Sequence, residues 1–495
     1  MTDEKLLQKL SEYERKRFAY THASGIMYYD GDTVAPPRSY LVRGDTMGEL
    51  AMLSYKLSTG KRFEDMLGEL IARKENFDAV TKRKIELLKR DYDEIKNVPA
   101  REYADYARLL VESMNAWREA KKNNSFETFL PFLTRVFETV KRFARYMAPD
   151  SDPYDTMLDR YEKGLTVKAC DGFFGKLRAR LVPLAAEIAP RYENVDDSAF
   201  RGCYPAALQR EFSEYLMGVM GLDRERCIIG ETEHPFTTNF SKYDVRITTH
   251  YYEDSPVSSM YSVIHEGGHA LYELGVGDDI TLGICGGGVS MAIHESQSRF
   301  YENIIGRSRE FTAMILPYLR KQFAPRLDGV TPEEFWRVVT VVKPSLIRTE
   351  ADEVTYALHV MVRYELEKQI VAGNLKVKDL PGEWNRLYRE YLGVDVPRDS
   401  EGVLQDMHWA DGNVGYFPSY AIGSAYGAQF LREMQKDIDV WGGVSKGDLT
   451  EINGWLCDRI WKYGQLRDPG ELFESICGPL DPDVFIDYLA GRYGV

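Results

Sequence analysis

The sequence predicts a mainly α fold, one large helical body with a small β-hairpin or sheet set beside a central helix. Three observations lead there. Apolar residues recur three or four positions apart through most of the 495-residue chain, as amphipathic helices require. Strand-like alternation is confined to one stretch around Asp244-Val245-Arg246-Ile247-Thr248-Thr249. No internal repeat or low-complexity tract divides the chain, so residues 1–495 are expected to form a single domain, although the length alone would admit several.

From residue 6 to about 145 the helical spacing is clear in Phe63, Met66, Leu67, Leu70 and Ile71, and again in Tyr103, Tyr106, Leu109, Leu110 and Met114. Residues 31–37, ending in Pro36-Pro37, read as a turn between helices. Residues 148–153 look like a linker by composition, but helical patterning resumes at once, so a surface loop inside one body is expected. Helices follow at 172–191 and 205–221, then the β-textured stretch at 228–252. The glycine-rich segment 283–288 lacks the Lys of a phosphate-binding loop, and nucleotide binding is not expected of it. Further helices are predicted at 291–305, ended by Gly306, and at 331–341, opened by the capping box Thr331-Pro332-Glu333-Glu334. Residues 418–495 are again mostly helical.

The composition, 44% hydrophobic and 28% charged, is that of an ordinary soluble protein. A net charge of -14 argues against nucleic acid or an anionic membrane as partner, because both attract basic surfaces. Six scattered cysteines without a C-x-x-C pair suit reduced thiols and leave no cysteine-based zinc site. With neither a signal-peptide pattern at Met1-Thr2-Asp3-Glu4-Lys5 nor an apolar run of about eighteen residues, a cytoplasmic protein is expected.

The chemistry is carried by His265-Glu266-Gly267-Gly268-His269. On a helix, His265 and His269 stand one turn apart on one face and can share a metal ion, with Glu266 beside it as general base. A third ligand is needed. The three-His pattern of the metzincins is excluded, because Tyr272 and Gly275 stand where it requires Gly and His. Glu273 lies two turns from His265, too far along the axis. Glu295, 26 residues beyond His269 on a separate predicted helix, can turn back across the glycine loop; the alternative for it is an ordinary exposed helix carboxylate. Two His and one Glu suit a catalytic Zn²⁺ with a water in the fourth position, and would also accept Co²⁺ or Mn²⁺. His294 points elsewhere on that helix and is expected to support the site or the fold. Gly267 and Gly268 each cost about 1 kcal/mol relative to Ala in a helix interior, so something is expected to approach their backbone closely.

Around this motif stand His234-Pro235-Phe236, Asp244-Val245-Arg246-Ile247-Thr248, His294-Glu295-Ser296-Gln297, Ile347-Arg348-Thr349-Glu350-Ala351-Asp352 and Gly402-Val403-Leu404-Gln405-Asp406-Met407-His408-Trp409. In these blocks, in this order, the chain resembles the Taq-type metallocarboxypeptidases, peptidase family M32, over nearly its full length. A milder likeness at Met27-Tyr28-Tyr29-Asp30 carries Tyr29 where the family usually has Trp, a departure expected to lie away from the chemistry.

The resemblance implies a helical body with a long deep groove, similar to neurolysin and angiotensin-converting enzyme. It also implies a homodimer, and removal of single residues with broad specificity from the free C-terminus of peptides. It marks Arg348 as the anchor of the substrate carboxylate, with Arg246 as second candidate and more suited to shaping the end of the groove. His408 and Tyr420 become candidate hydrogen-bond donors to the oxyanion or the substrate backbone, Gln405 a candidate to hold the substrate, and His234 a support of the groove wall. His22, His250 and His359 are read as structural. The rival readings are a zinc oligoendopeptidase or dipeptidyl carboxypeptidase with the same metal site, and a non-catalytic helical scaffold.

Overall fold

The computed structural model describes residues 1–495. It is 68% helical, which bears out the mainly α expectation. The chain opens with the helix Asp3–Thr33, whose first turn is capped by the Thr2 hydroxyl accepting from Lys5 N. This helix runs through Gly31 and ends only when Val34 N donates to Asp30 O, so the turn lies a few residues later than predicted. Pro36 and Pro37 cannot extend an α-helix hydrogen-bond ladder, and a single 3₁₀ turn, Pro37–Ser39, leads into the returning helix Tyr40–Thr59.

Residues 148–153 form a tight connection between the helices Phe126–Met147 and Pro153–Tyr161, with Asp152 capping the second by accepting from Tyr154 N at 2.7 Å. Leu133 and Val136 before this loop and Tyr154 and Met157 after it belong to one core of 102 buried residues, so the loop divides nothing. A smaller cluster of 15 residues joins the N-terminal helices to Val276, Ile280 and Cys285.

The β-textured stretch forms three strands, β1 (Cys227–Glu231), β2 (Thr237–Ser241) and β3 (Asp244–Thr249). The order is β1-β3-β2, with β1 parallel to β3 and β2 antiparallel to it. Val245 and Ile247 point into the core while Arg246 takes the other face, as the period of two dictates. Beyond β3 the chain passes into the helix Val257–Leu274, the H-E-x-x-H helix, which is buried almost all round.

Two glycines set how closely the next helix, Met291–Arg299, can approach. A Cβ on Gly268 would meet the carbonyl oxygen of Gln297 at 2.7 Å, and one on Gly423, in the helix Pro418–Asp437, would meet the Cβ of Glu295 at 2.8 Å. The Glu295 helix is thus gripped between two bare stretches of backbone, the close approach anticipated from Gly267-Gly268. Gly267 itself faces the Met220 side chain. The predicted helix 291–305 changes character half-way: after Arg299 it widens into a π-helix, Phe300–Ile305, ended where Gly306 N donates to Tyr301 O at 2.7 Å. The predicted capping box is present in full on the helix Pro332–Val339.

Candidate metal centre

On the H-E-x-x-H helix the His265 and His269 rings lie 5.0 Å apart, and Glu295 from the neighbouring helix completes a group whose ligand atoms all fall within 4.8 Å of one another. His269 Nε2 is 3.8 Å from Glu295 Oε2. A tetrahedral ion with bonds of about 2.0–2.2 Å places its donors about 3.4 Å apart, so small side-chain movements close this set on a metal.

Each histidine is held from behind through its other ring nitrogen, as metal-ligating histidines commonly are. His265 Nδ1 lies 2.8 Å from Glu302 Oε2. His269 Nδ1 lies 2.7 Å from His294 Nδ1, and His294 Nε2 in turn lies 2.7 Å from Glu273 Oε1. Glu273 also accepts from Asn239 Nδ2 at 2.6 Å and from Gly288 N at 3.0 Å. The carboxylates fix the proton positions: His294 donates from Nε2 to Glu273, so its Nδ1 accepts from His269, while His265 donates to Glu302. That leaves Nε2 of each histidine as the atom available to a metal ion beside Glu295. This donor set, two imidazoles and one carboxylate, fits a zinc-type ion.

Arg299, one turn beyond Glu295, donates from Nε to Glu295 Oε1 at 2.7 Å and from Nη1 to Glu302 Oε2 at 3.1 Å. Burial alone would raise the Glu302 carboxyl; Arg299, His265 and Arg307 more than offset it and hold it well below the usual range. Glu266 lies beside the ligands, its Oε2 2.5 Å from the Thr237 hydroxyl of β2, and burial pushes its carboxyl up against the pull of His265 and Thr237.

A second group gathers around Arg348. Its Nε and Nη2 donate to Asp406 Oδ1 at 3.0 and 2.9 Å, and its Nη1 donates to the Tyr356 hydroxyl at 3.0 Å. Arg363 Nε donates to the other oxygen of Asp406 at 2.8 Å, so two guanidinium groups share one carboxylate. His408 Nε2 and the Tyr420 hydroxyl are 3.1 Å apart, and the Arg348 guanidinium lies 4.9 Å from the Tyr420 ring centre. Burial, with Arg348 nearby, lowers His408 to about 3 and keeps it neutral.

Gln405 is hydrogen-bonded to the Arg348 segment. Its Oε1 accepts from Arg348 N, and its Nε2 faces the carbonyls of Leu346 and Glu401 and the Tyr388 hydroxyl at 3.0–3.1 Å, so its amide is committed to holding the Arg348 segment. Arg246 grips its neighbour Asp244 through two 2.8 Å bonds and lies between the Tyr29 and Phe240 rings at 4.9 Å from each. Tyr29 packs on Arg246 and edge-on to Phe236. His234 is exposed in the turn between β1 and β2. Among the other histidines, His359 is buried against Tyr388, His250 meets Thr232 O, and His22 packs against Phe18 and Phe240.

Glu302, Asp406, Tyr356, Thr237 and Arg299 were not singled out from the sequence. Arg299 carried a usable signal, standing four residues after Glu295. Glu302 carried none, because its aim at His265 depends on the π-helical turn.

Known proteins match this chain over nearly its whole length. Residues 9–493 match the family model described as Carboxypeptidase Taq (M32) metallopeptidase. The chain belongs to the M32 family. This M32 chain is 36% identical over 476 residues to Carboxypeptidase 1 of Bacillus subtilis, covering 96% of this chain and 95% of that one. It is 34% identical over 503 residues to Thermostable carboxypeptidase 1 of Pyrococcus furiosus, covering 99% of each. A solved M32 carboxypeptidase from Deinococcus radiodurans superposes with a TM-score of 0.96 at 33% identity, covering 99% of both chains. As an M32 metallopeptidase the protein is a peptide hydrolase that uses a metal ion, and His265, His269 and Glu295 form a candidate site for it. No helix is long and apolar enough to cross a membrane.

Proposed function

We propose that this M32 chain is a zinc carboxypeptidase that removes single residues, with broad specificity, from the free C-terminus of peptides. His265, His269 and Glu295 hold the metal, for which Co²⁺ or Mn²⁺ can substitute, and Glu266 is the general base. The enzyme works as a cytoplasmic homodimer of single-domain subunits, with the substrate lying in a groove over the metal. The observation that carries this reading is the charge balance at Asp406. Arg348 and Arg363 share that one carboxylate in a buried setting, which leaves one positive charge unmatched. A substrate carboxylate supplies the missing charge, and Arg348 still has guanidinium N–H groups to offer it.

When bound, the metal supplies Lewis acidity to the attacking water and the scissile carbonyl. Glu266 takes the proton from that water at its carboxylate, oriented by Thr237, and returns it to the leaving amine. The Tyr420 hydroxyl, kept in place by neutral His408, donates toward the carbonyl oxygen as charge builds there. Arg348 holds the terminal carboxylate, and Asp406 and Gln405 hold Arg348. Arg246 and His234 line the β-sheet side of the groove.

Arg348→Ala tests the anchor. The variant is expected to lose about 2–5 kcal/mol of transition-state binding on free-carboxylate peptides while C-terminal amides are unaffected. An unchanged rate on free-carboxylate peptides would remove Arg348 from this role and favour an endopeptidase.

A further inference from the structure

We propose that Tyr356 is a positioning residue that ties the metal's carboxylate ligand to the carboxylate anchor, so that binding of the substrate C-terminus is felt at the metal. The inference rests on the assignment of Arg348 as anchor.

Tyr356 is buried, 4% exposed, and meets both Arg299 and Arg348. Its ring carries the Arg299 guanidinium 4.1 Å from its centre, and its hydroxyl accepts from Arg348 Nη1 at 3.0 Å. On the metal side, Arg299 holds Glu295 and Glu302 together. On the substrate side, Arg348 is bolted to Asp406, and the Tyr420 ring stands edge-on to Tyr356 with centres 6.2 Å apart. The path from ligand to anchor is continuous: Glu295, Arg299, Tyr356, Arg348, Asp406. Every step is a hydrogen bond or a cation on an aromatic face.

Two like charges in one buried region repel, and the ring between them fixes their separation and attracts both. If a substrate carboxylate draws charge and hydrogen bonds from Arg348, the hydroxyl and ring of Tyr356 shift their interaction toward Arg299. Arg299 is the group that orients Glu295. Such coupling is reciprocal: a bound carboxylate alters metal affinity by the same factor by which the metal alters carboxylate affinity.

The test uses the full-length chain with Tyr356→Phe and Tyr356→Leu, folding being checked by thermal unfolding of the metal-free proteins. Zinc dissociation constants are measured by chelator competition, with and without N-acetyl-alanine as a carboxylate-bearing probe and its amide as control. KM and kcat are measured on an N-blocked dipeptide. Tyr356→Phe keeps the ring and loses the charge-assisted bond, so KM should rise about 10-fold with zinc affinity little changed. Tyr356→Leu loses the ring, so zinc affinity should also fall about 10-fold and the effect of the acetyl-amino acid on it should vanish. A folded Tyr356→Leu protein with wild-type zinc affinity and wild-type response to the probe would overturn the proposal. If that variant does not fold, an unchanged KM in Tyr356→Phe does so. Failure of the anchor reading is distinguishable, since it appears as an Arg348→Ala enzyme that still prefers free carboxylates, whatever the zinc affinities of the Tyr356 variants.

Discussion

Gly268 lies against Gln297 so closely that a methyl group at Gly268 would stand 2.7 Å from the Gln297 carbonyl oxygen. The obstacle is backbone of the helix carrying Glu295, so it cannot rotate away. Gly268→Ala is therefore expected to destabilise the metal-free protein by about 1–3 kcal/mol, the usual range for overpacking a tight core, and to weaken metal binding by displacing Glu295. Urea unfolding and chelator competition check the two effects, and wild-type values in both would contradict the packing argument.

Glu302 approaches His265 Nδ1 from the π-helical turn, and Arg299 and Arg307 keep it ionised. Glu302→Gln keeps the shape and removes the charge that favours a metal-competent His265 tautomer. Zinc affinity is expected to drop about 10–100-fold, with the wild-type fold retained.

Legibility from sequence followed the range of the interactions. His265, His269 and Glu295 could be found because helical periodicity and a loop long enough to turn back are local properties. The glycine pair was informative for the same reason: two costly residues in a helix interior implied close neighbours, the Gln297–Ser298 backbone at Gly268 and the Met220 side chain at Gly267. Tyr356, Asp406 and Glu302 act through contacts made only once distant segments have packed, and no spacing rule points to them. Gln405 reads in sequence only as a polar residue of a family block, and its hydrogen bonds to the Arg348 segment arise only once distant segments have packed.

Glu162 accepts from Ala292 N at 3.2 Å, at the start of the Glu295 helix. Burial pushes its carboxyl up to about 7, against the opposing pull of the nearby Ser290 and Tyr426 hydroxyls and the Ala292 N–H. A folded-state value above the unfolded 4.5 means that the folded protein binds more protons, so this group's contribution is fully present below pH 4.5 and is lost as pH rises through about 7. Glu162→Gln keeps an oxygen for Ala292 and cannot ionise. Relative to wild type it should gain up to about 3 kcal/mol between pH 5 and 8, read from urea unfolding at both pH values. A constant difference would contradict the burial argument.

Glu266→Gln retains the size of the side chain and an oxygen within reach of Thr237, but cannot accept a proton. The variant should bind one metal ion per chain and show turnover reduced by at least about 100-fold, the lower bound for loss of a general base. Removing the metal from the wild-type enzyme should likewise abolish hydrolysis, with activity returning on reconstitution.

The most direct measurement is mass analysis of a short unblocked peptide, and of its C-terminal amide, after incubation with the metal-loaded protein. The free peptide should give a ladder of single-residue losses from its C-terminus, and the amide should remain intact. Internal cuts, loss of residues in pairs, or equal cleavage of the amide would contradict the assignment of a carboxypeptidase anchored through Arg348.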